Sequence, residues 1–94
     1  MQFEWDNEKA ESNLKKHDVS FEEAETVWHD YFFVDFYDTS HSIEENRFLI
    51  IGESTNKRLL IVSYTGRENT IRIISARELT PKERRDYEHG EFEG

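Results

Sequence analysis

Three arginines stand on and between two apolar runs, Tyr64-Thr65-Gly66-Arg67 and Ile71-Arg72-Ile73-Ile74-Ser75-Ala76-Arg77. A guanidinium inside a Val/Ile/Leu strand is costly unless it reaches water, an acid or an anion. Arginines projecting from a sheet face are therefore candidates for holding phosphate, since the planar fork donates two parallel bonds to phosphate oxygens. The competing reading is pairing with the abundant carboxylates. Arg72 and Arg77 lie five positions apart. On a regular strand they leave opposite faces, and both line one surface only if a bulge or strand end re-aims one of them.

Histidine supplies the complementary chemistry, because its unperturbed pKa of about 6.5 suits proton transfer at neutral pH. His17 follows Lys15 and Lys16 at the end of a predicted helix, where the C-terminus favours a cation. Helix capping and catalysis both remain open for it. His41 sits in a polar loop between Asp38 and Glu44, as a solvated loop histidine would. His29 and His89 read as surface residues, and the four histidines lack zinc-site spacing. Tyr64 shares a strand face with Leu60 and Val62, which points to packing. Glu22 and Glu23 fall in the first turn of a helix, where capping and the helix dipole account for them.

The elements that must position these residues are legible from local signals. Gln2 to Trp5 alternates polar and apolar, as a short half-buried strand does. Asp6 is an N-cap for a helix to about Lys16, with Ala10, Leu14 and His17 on one inward face. Ser20-Phe21-Glu22-Glu23 predicts a capping box for a second helix through Trp28, with Ala24, Val27 and Trp28 inward. Strands follow at Phe32–Tyr37, Arg47–Ser54, Arg58–Thr65 and Thr70–Arg77. They are joined by the loop Asp38–Asn46 and by turns at Ser54–Lys57 and Gly66–Asn69. From the second of these strands onward the connections are too short for crossover helices, which predicts an antiparallel meander. Thr80-Pro81-Lys82-Glu83 is a further capping box, opening a last helix to about His89. The expectation is one α+β domain over residues 1–94, with helices against one face of the sheet and a frayed tail from about Gly90.

With 94 residues and no cysteine, a single modest core is expected, without disulfides or thiol chemistry. No apolar run approaches the roughly 18 residues of a membrane span, and Met1–Asp6 lacks the regions of a signal peptide, so a cytoplasmic protein is expected. The net charge of −9 is unevenly spread: residues 1–47 carry 4 basic and 13 acidic side chains, and residues 48–94 carry 8 of each. Between Lys57 and Arg85 those 8 basic residues face only Glu68, Glu78 and Glu83, a local balance of +5. A basic region on an acidic body is compatible with RNA binding.

Motifs spread from residue 2 to about residue 88 resemble the BrnT toxin family in order and spacing. They include Phe3-x-Trp5-Asp6, Lys9, Asn13, Lys16-His17-x-Val19-Ser20-Phe21-Glu22-Glu23-Ala24, Asp38, His41, Arg47 and Gly52. Tyr64-Thr65-x-Arg67, Arg72-Ile73-Ile74-Ser75-Ala76-Arg77 and Glu83-Arg84-x-x-Tyr87 continue the series. Asp18 stands where the family pattern has glycine, and aspartate is among the residues that tolerate a left-handed turn.

The resemblance implies a RelE-like fold and a metal-independent ribonuclease toxin of a bacterial type II toxin–antitoxin pair. It also implies a BrnA-like antitoxin that neutralises the toxin, with DNA engaged only indirectly through that antitoxin. Such cleavage needs a base for the 2′-hydroxyl, an acid for the leaving 5′-oxygen, and cations for the phosphate. Arg67, Arg77, His17 and Tyr87 are the expected catalytic residues, Tyr87 because RelE-like ribonucleases often carry an active aromatic near the C-terminus. Lys16, Arg58, Arg72 and Arg84 are the expected RNA-binding residues. No metal or cofactor is expected. The alternative is a catalytically weak module that holds its antitoxin and modulates operon repression.

Overall fold

A computed structural model describes residues 1–42 and 45–92. Glu44 of the predicted loop and Glu93 of the acidic tail lie outside the described residues. The chain runs β1 (Gln2–Glu4), α1 (Asn7–His17), α2 (Phe21–Glu25), a 3₁₀ turn (Thr26–His29), β2 (Val34–Tyr37), β3 (Phe48–Glu53), β4 (Leu59–Arg67), β5 (Thr70–Glu78) and α3 (Pro81–Glu88). The strand order is β1-β5-β4-β3-β2, with β1 parallel to β5 and every other pair antiparallel.

The α+β class stands, but the sheet corrects the expectation. It has five strands and is mixed, which differs in strand count and order from the four-stranded antiparallel, RelE-like arrangement. The turn after β4 explains how the predicted N-terminal strand joins the sheet. Gln2 N–H donates to the carbonyl of Asn69 at 2.8 Å, which seats β1 beside the start of β5. Two helices and strands β2–β4 lie between β1 and β5 in the chain, a connection long enough for β1 to arrive parallel.

Helices α1 and α2 cover one face of the sheet. Val19, Phe21, Ala24 and Val27 pack there against Ile50, Leu60, Val62, Ile71 and Ile73. The helices do not share one face as expected. Tyr87 of α3 packs on the other side with Ile51, Ile61 and Leu79. Two capping predictions hold: Asp6 accepts from the backbone N–H of Glu8 and Lys9, and Thr80 with Glu83 forms a complete capping box. Asp18 is the left-handed C-cap of α1, with φ 56°. The second helix ends earlier than predicted, at Glu25, and the 3₁₀ turn carries the chain on to His29.

Two corrections concern side chains. Leu14 is 48% exposed and His17 is exposed, whereas Asn13 is buried. The inward face is turned because β1 pairs only as far as Arg72, leaving the outer edge of β5 open beyond it. Asn13 fills that edge as a strand would: its Nδ2 donates to the carbonyls of Ala76 and Val19 at 2.9 Å each, and its Oδ1 accepts from Ala76 N–H at 3.0 Å. Buried amides left unpaired here would cost about 1–3 kcal/mol each.

The second correction is at Ser20–Glu23. Ser20 Oγ accepts from Glu23 N–H at 3.0 Å, but the Glu23 carboxylate turns away from the cap. It accepts from Ser54 Oγ at 2.6 Å and Arg58 Nε at 3.0 Å, and also from Arg58 Nη2. A buried carboxylate gains more from a guanidinium than from one backbone amide.

Gly52 is required by close approach. A Cβ there would lie 2.9 Å from Val27 Cγ1 and 3.1 Å from the Asp30 carboxylate. That carboxylate holds the chain entering β2, accepting from Phe32 and Glu53 N–H.

Candidate active site

The face of β4 and β5 away from α1 and α2 carries the candidate arginines. Register places Ile61 opposite Arg77, Ser63 opposite Ser75, Thr65 opposite Arg72 and Arg67 opposite Thr70. Directly opposed residues of an antiparallel pair share a face. Between Ser75 and Arg72 the register shifts, because Tyr64 pairs with Ile73 and Ile74 is left without an opposite number. This β-bulge adds one residue to β5, so Arg72 and Arg77 emerge on the same side despite their odd spacing. Arg67, Arg72 and Arg77 thus line one face with the hydroxyls of Ser63, Thr65, Thr70 and Ser75.

Among the described residues, two hollows lie on that face. One, of ≈ 440 Å³, is lined by Arg67, Arg72, Thr65, Thr70 and the acids Glu4, Glu45 and Glu68. The other, of ≈ 340 Å³, is bordered by Arg77, Glu83, Ser63, Ser75, Asp38 and His41, among others.

The three arginines differ in how they are held. Arg77 forms a fork-on-fork pair with Glu83, Nη1 to Oε1 at 2.7 Å and Nη2 to Oε2 at 3.0 Å. The guanidinium, helped by the backbone at Thr80, holds the Glu83 carboxyl down at about 2 against some opposing burial. The same hydrogen bonds push Arg77 further up. Arg72 pairs with Glu4 at 2.7 Å, half exposed on both sides. Arg67 is exposed and, among the described residues, has no ion-pair partner.

His41 enters the second hollow from the loop after β2. Its Nδ1 lies 3.0 Å from Asp38 Oδ2, and the Asp38 side chain is only 9% exposed against 67% for the His41 ring. The loop is tied down locally. Asp38 Oδ1 accepts from Ser40 N–H at 3.1 Å, Asp38 N–H donates to the Arg47 carbonyl at 2.8 Å, and Ser42 Oγ donates to the Asp38 carbonyl at 2.6 Å.

The remaining predicted site residues lie elsewhere. Arg58 sits on the helix side, bound to Glu23, to the Asp18 carbonyl at 2.8 Å and near Glu78 at 3.5 Å. Lys16 and His17 border a shallow hollow over the outer edge of β5, which meets the arginine face at Ser75. Tyr87 is half buried under α3 and its hydroxyl donates to the Phe32 carbonyl at 3.3 Å; burial pushes its pKa up. Arg84 is exposed on α3. Tyr64 is core: it stacks on Phe48, its hydroxyl donates to Asp35 at 3.0 Å, and burial pushes its pKa up. The Asp38–His41 pair was visible as two residues of the resemblance, but nothing in the spacing alone showed that one would be buried beneath the other. Among the described residues no three His, Asp or Glu converge as metal ligands.

The fold and site define a small α+β domain with an open sheet face that carries three arginines, hydroxyls and neighbouring carboxylates. Residues 5–83 match the family of the ribonuclease toxin BrnT of type II toxin–antitoxin systems, and the chain belongs to that family. Among solved structures it is similar to the Brucella abortus ribonuclease toxin BrnT, at 22% identity and a TM-score of 0.67, covering 85% of this chain and 97% of that one. That likeness shows a shared fold. No curated protein matches the chain.

Proposed function

We propose that this chain is a metal-independent endoribonuclease that cuts RNA on the open face of β4 and β5, and that a BrnA-like antitoxin neutralises it in the cytoplasm. The observation that carries the reading is the bulge at Ile74, which gathers Arg67, Arg72 and Arg77 on one face. A phosphodiester laid along that face meets the three arginines and the hydroxyls, beside the acids Glu4, Glu45, Glu68, Asp38 and Glu83 that share the two hollows.

The reaction is attack of a 2′-oxygen on the adjacent phosphorus with departure of the 5′-oxygen, leaving a 2′,3′-cyclic phosphate. Charge accumulates on the non-bridging oxygens as the new bond forms, and guanidinium donors fixed beside them stabilise it. Among the described residues no carboxylate pairs with Arg67, so a phosphate can approach it directly. The exposed Arg72–Glu4 pair is worth at most about 1 kcal/mol, so a phosphate can take Arg72 from it. Arg77 is held more firmly, and its alignment by Glu83 sets the position of the charge. Lys16 and His17, whose hollow shares Ser75 with that face, would hold outlying nucleotides; Arg58 and Tyr87 serve the fold.

One observation favours the alternative, a weakly catalytic module that holds its antitoxin: carboxylates already occupy the forks of Arg72 and Arg77. Induced expression separates the two. Growth arrest and RNA cleavage by wild type, lost in Arg67→Ala or Arg77→Ala at equal soluble levels, support the ribonuclease. A folded wild type that neither arrests growth nor cuts RNA leaves antitoxin binding as the function.

A further inference from the structure

We infer that His41 is the general base of this site, accepting the 2′-hydroxyl proton of a single-stranded RNA, with Asp38 as the residue that positions its ring. The inference rests on the ribonuclease reading above and adds the proton acceptor that the arginines cannot supply.

The geometry assigns the tautomer. An ionised carboxylate only accepts hydrogen bonds, so the 3.0 Å contact to Asp38 Oδ2 requires the proton on His41 Nδ1. In the neutral ring the lone pair then sits on Nε2, on the side away from Asp38. The ring itself borders the hollow that Arg77, Ser63 and Ser75 also border. A buried carboxylate behind an exposed imidazole is the arrangement that orients a ring and stabilises the imidazolium once it forms. Ser40 N–H donates to the other oxygen of the same carboxylate, which orients the Asp38 group behind the ring.

Elimination points the same way. Four titratable side chains border this hollow: Asp38, His41, Arg77 and Glu83. Arg77 remains a cation. Both Glu83 oxygens are engaged by Arg77, and one also accepts from Thr80 N–H. Such a carboxylate is too weak a base to draw a proton from a hydroxyl. Asp38 is buried beneath His41. Only the imidazole is both exposed and left with a free ring nitrogen to accept a proton.

The step balances. The 2′-hydroxyl proton moves to His41 Nε2 as the 2′-oxygen bonds to phosphorus. The bond from phosphorus to the 5′-oxygen breaks, and that oxygen takes a proton from water. The imidazolium then returns its proton to the hydroxide left behind. In-line attack requires the 2′-oxygen, phosphorus and 5′-oxygen to align, which the regular A-form duplex does not allow, so the substrate is single-stranded.

The test is cleavage of a random-sequence RNA pool, free and bound to ribosomes, by wild type, His41→Gln, Asp38→Asn and Asp38→Glu, with kcat and KM followed over about pH 5 to 8. The expected result for His41→Gln is a kcat about 100-fold lower, with KM within about threefold. The wild-type rate falls towards acid as the imidazole protonates. In Asp38→Asn the rate drops about tenfold at every pH with KM within about threefold, and Asp38→Glu recovers part of it. A purely structural Asp38 would leave kcat per folded enzyme unchanged. His41→Gln with kcat within about threefold of wild type at every pH overturns the assignment while leaving the ribonuclease intact. A folded wild type that leaves both RNA forms uncut overturns both readings together.

Discussion

The two faces of the sheet are built from the same strands and treated in opposite ways. On the covered face, β4 and β5 present Leu60, Val62, Tyr64, Ile71, Ile73 and Ala76 to α1 and α2, all buried. On the open face the same strands present Arg67, Arg72, Arg77 and four hydroxyls, and α3 covers only the end near Ile51 and Ile61. A single alternating strand produces both patterns, so stability and chemistry can vary separately. The bulge at Ile74 is where they touch: it keeps Ile73 and Ala76 inward while turning Arg72 to the side of Arg77.

This contrast can be broken most strongly from the covered side. Phe21 is fully buried and stacks edge-on with Trp5 at 5.9 Å. Phe21→Ala is expected to cost about 3–5 kcal/mol, read as a lower urea midpoint. Asn13→Ala is expected to cost about 2–3 kcal/mol by stripping buried backbone groups at Val19 and Ala76 of partners, again read by urea unfolding. Protection of the Ala76 amide from hydrogen exchange should fall in that variant.

Glu83 tests the border between the faces. Its carboxyl is held at about 2 in the folded chain against an ordinary 4.5. The stability it contributes is therefore present above about pH 4.5 and lost as pH falls towards 2. Because the side chain is partly exposed, about 1–2 kcal/mol is expected. Glu83→Gln should unfold at lower urea than wild type near neutrality, with the gap closing below about pH 4. A gap that is constant with pH would sink the account of the Arg77 pair.

The smallest expected effect on stability is the most telling about the open face. Arg67→Ala should change the unfolding free energy by no more than about 0.5 kcal/mol, since Arg67 is exposed and unpaired among the described residues. The same change is expected to abolish growth arrest. If it destabilises the fold instead, the division between the faces fails.

What local chemistry decides was readable along the chain. Asp6, Ser20 and Thr80 announce helix starts because a side-chain oxygen can satisfy free amides a few residues on. The turn at Ser54–Lys57 falls between apolar runs, the predicted Gly66–Asn69 turn tightens to Glu68–Asn69 because β4 runs on to Arg67, and Asp18 takes the left-handed cap expected of it. Arg67, Arg72 and Arg77 were identifiable as costly residues in apolar surroundings.

What depends on partners distant in sequence was decided only by tertiary structure. Asn13 turns inward because β1 stops short of Ala76, 63 positions away. Glu23 leaves its cap because Arg58 arrives beside it, and Asp38 is buried only once β2 has paired with β3. The odd spacing of Arg72 and Arg77 argued for opposite faces, and a register shift against β4 reversed that conclusion. Local hydrogen bonding is written in neighbouring residues, whereas register and burial exist only after the strands have met.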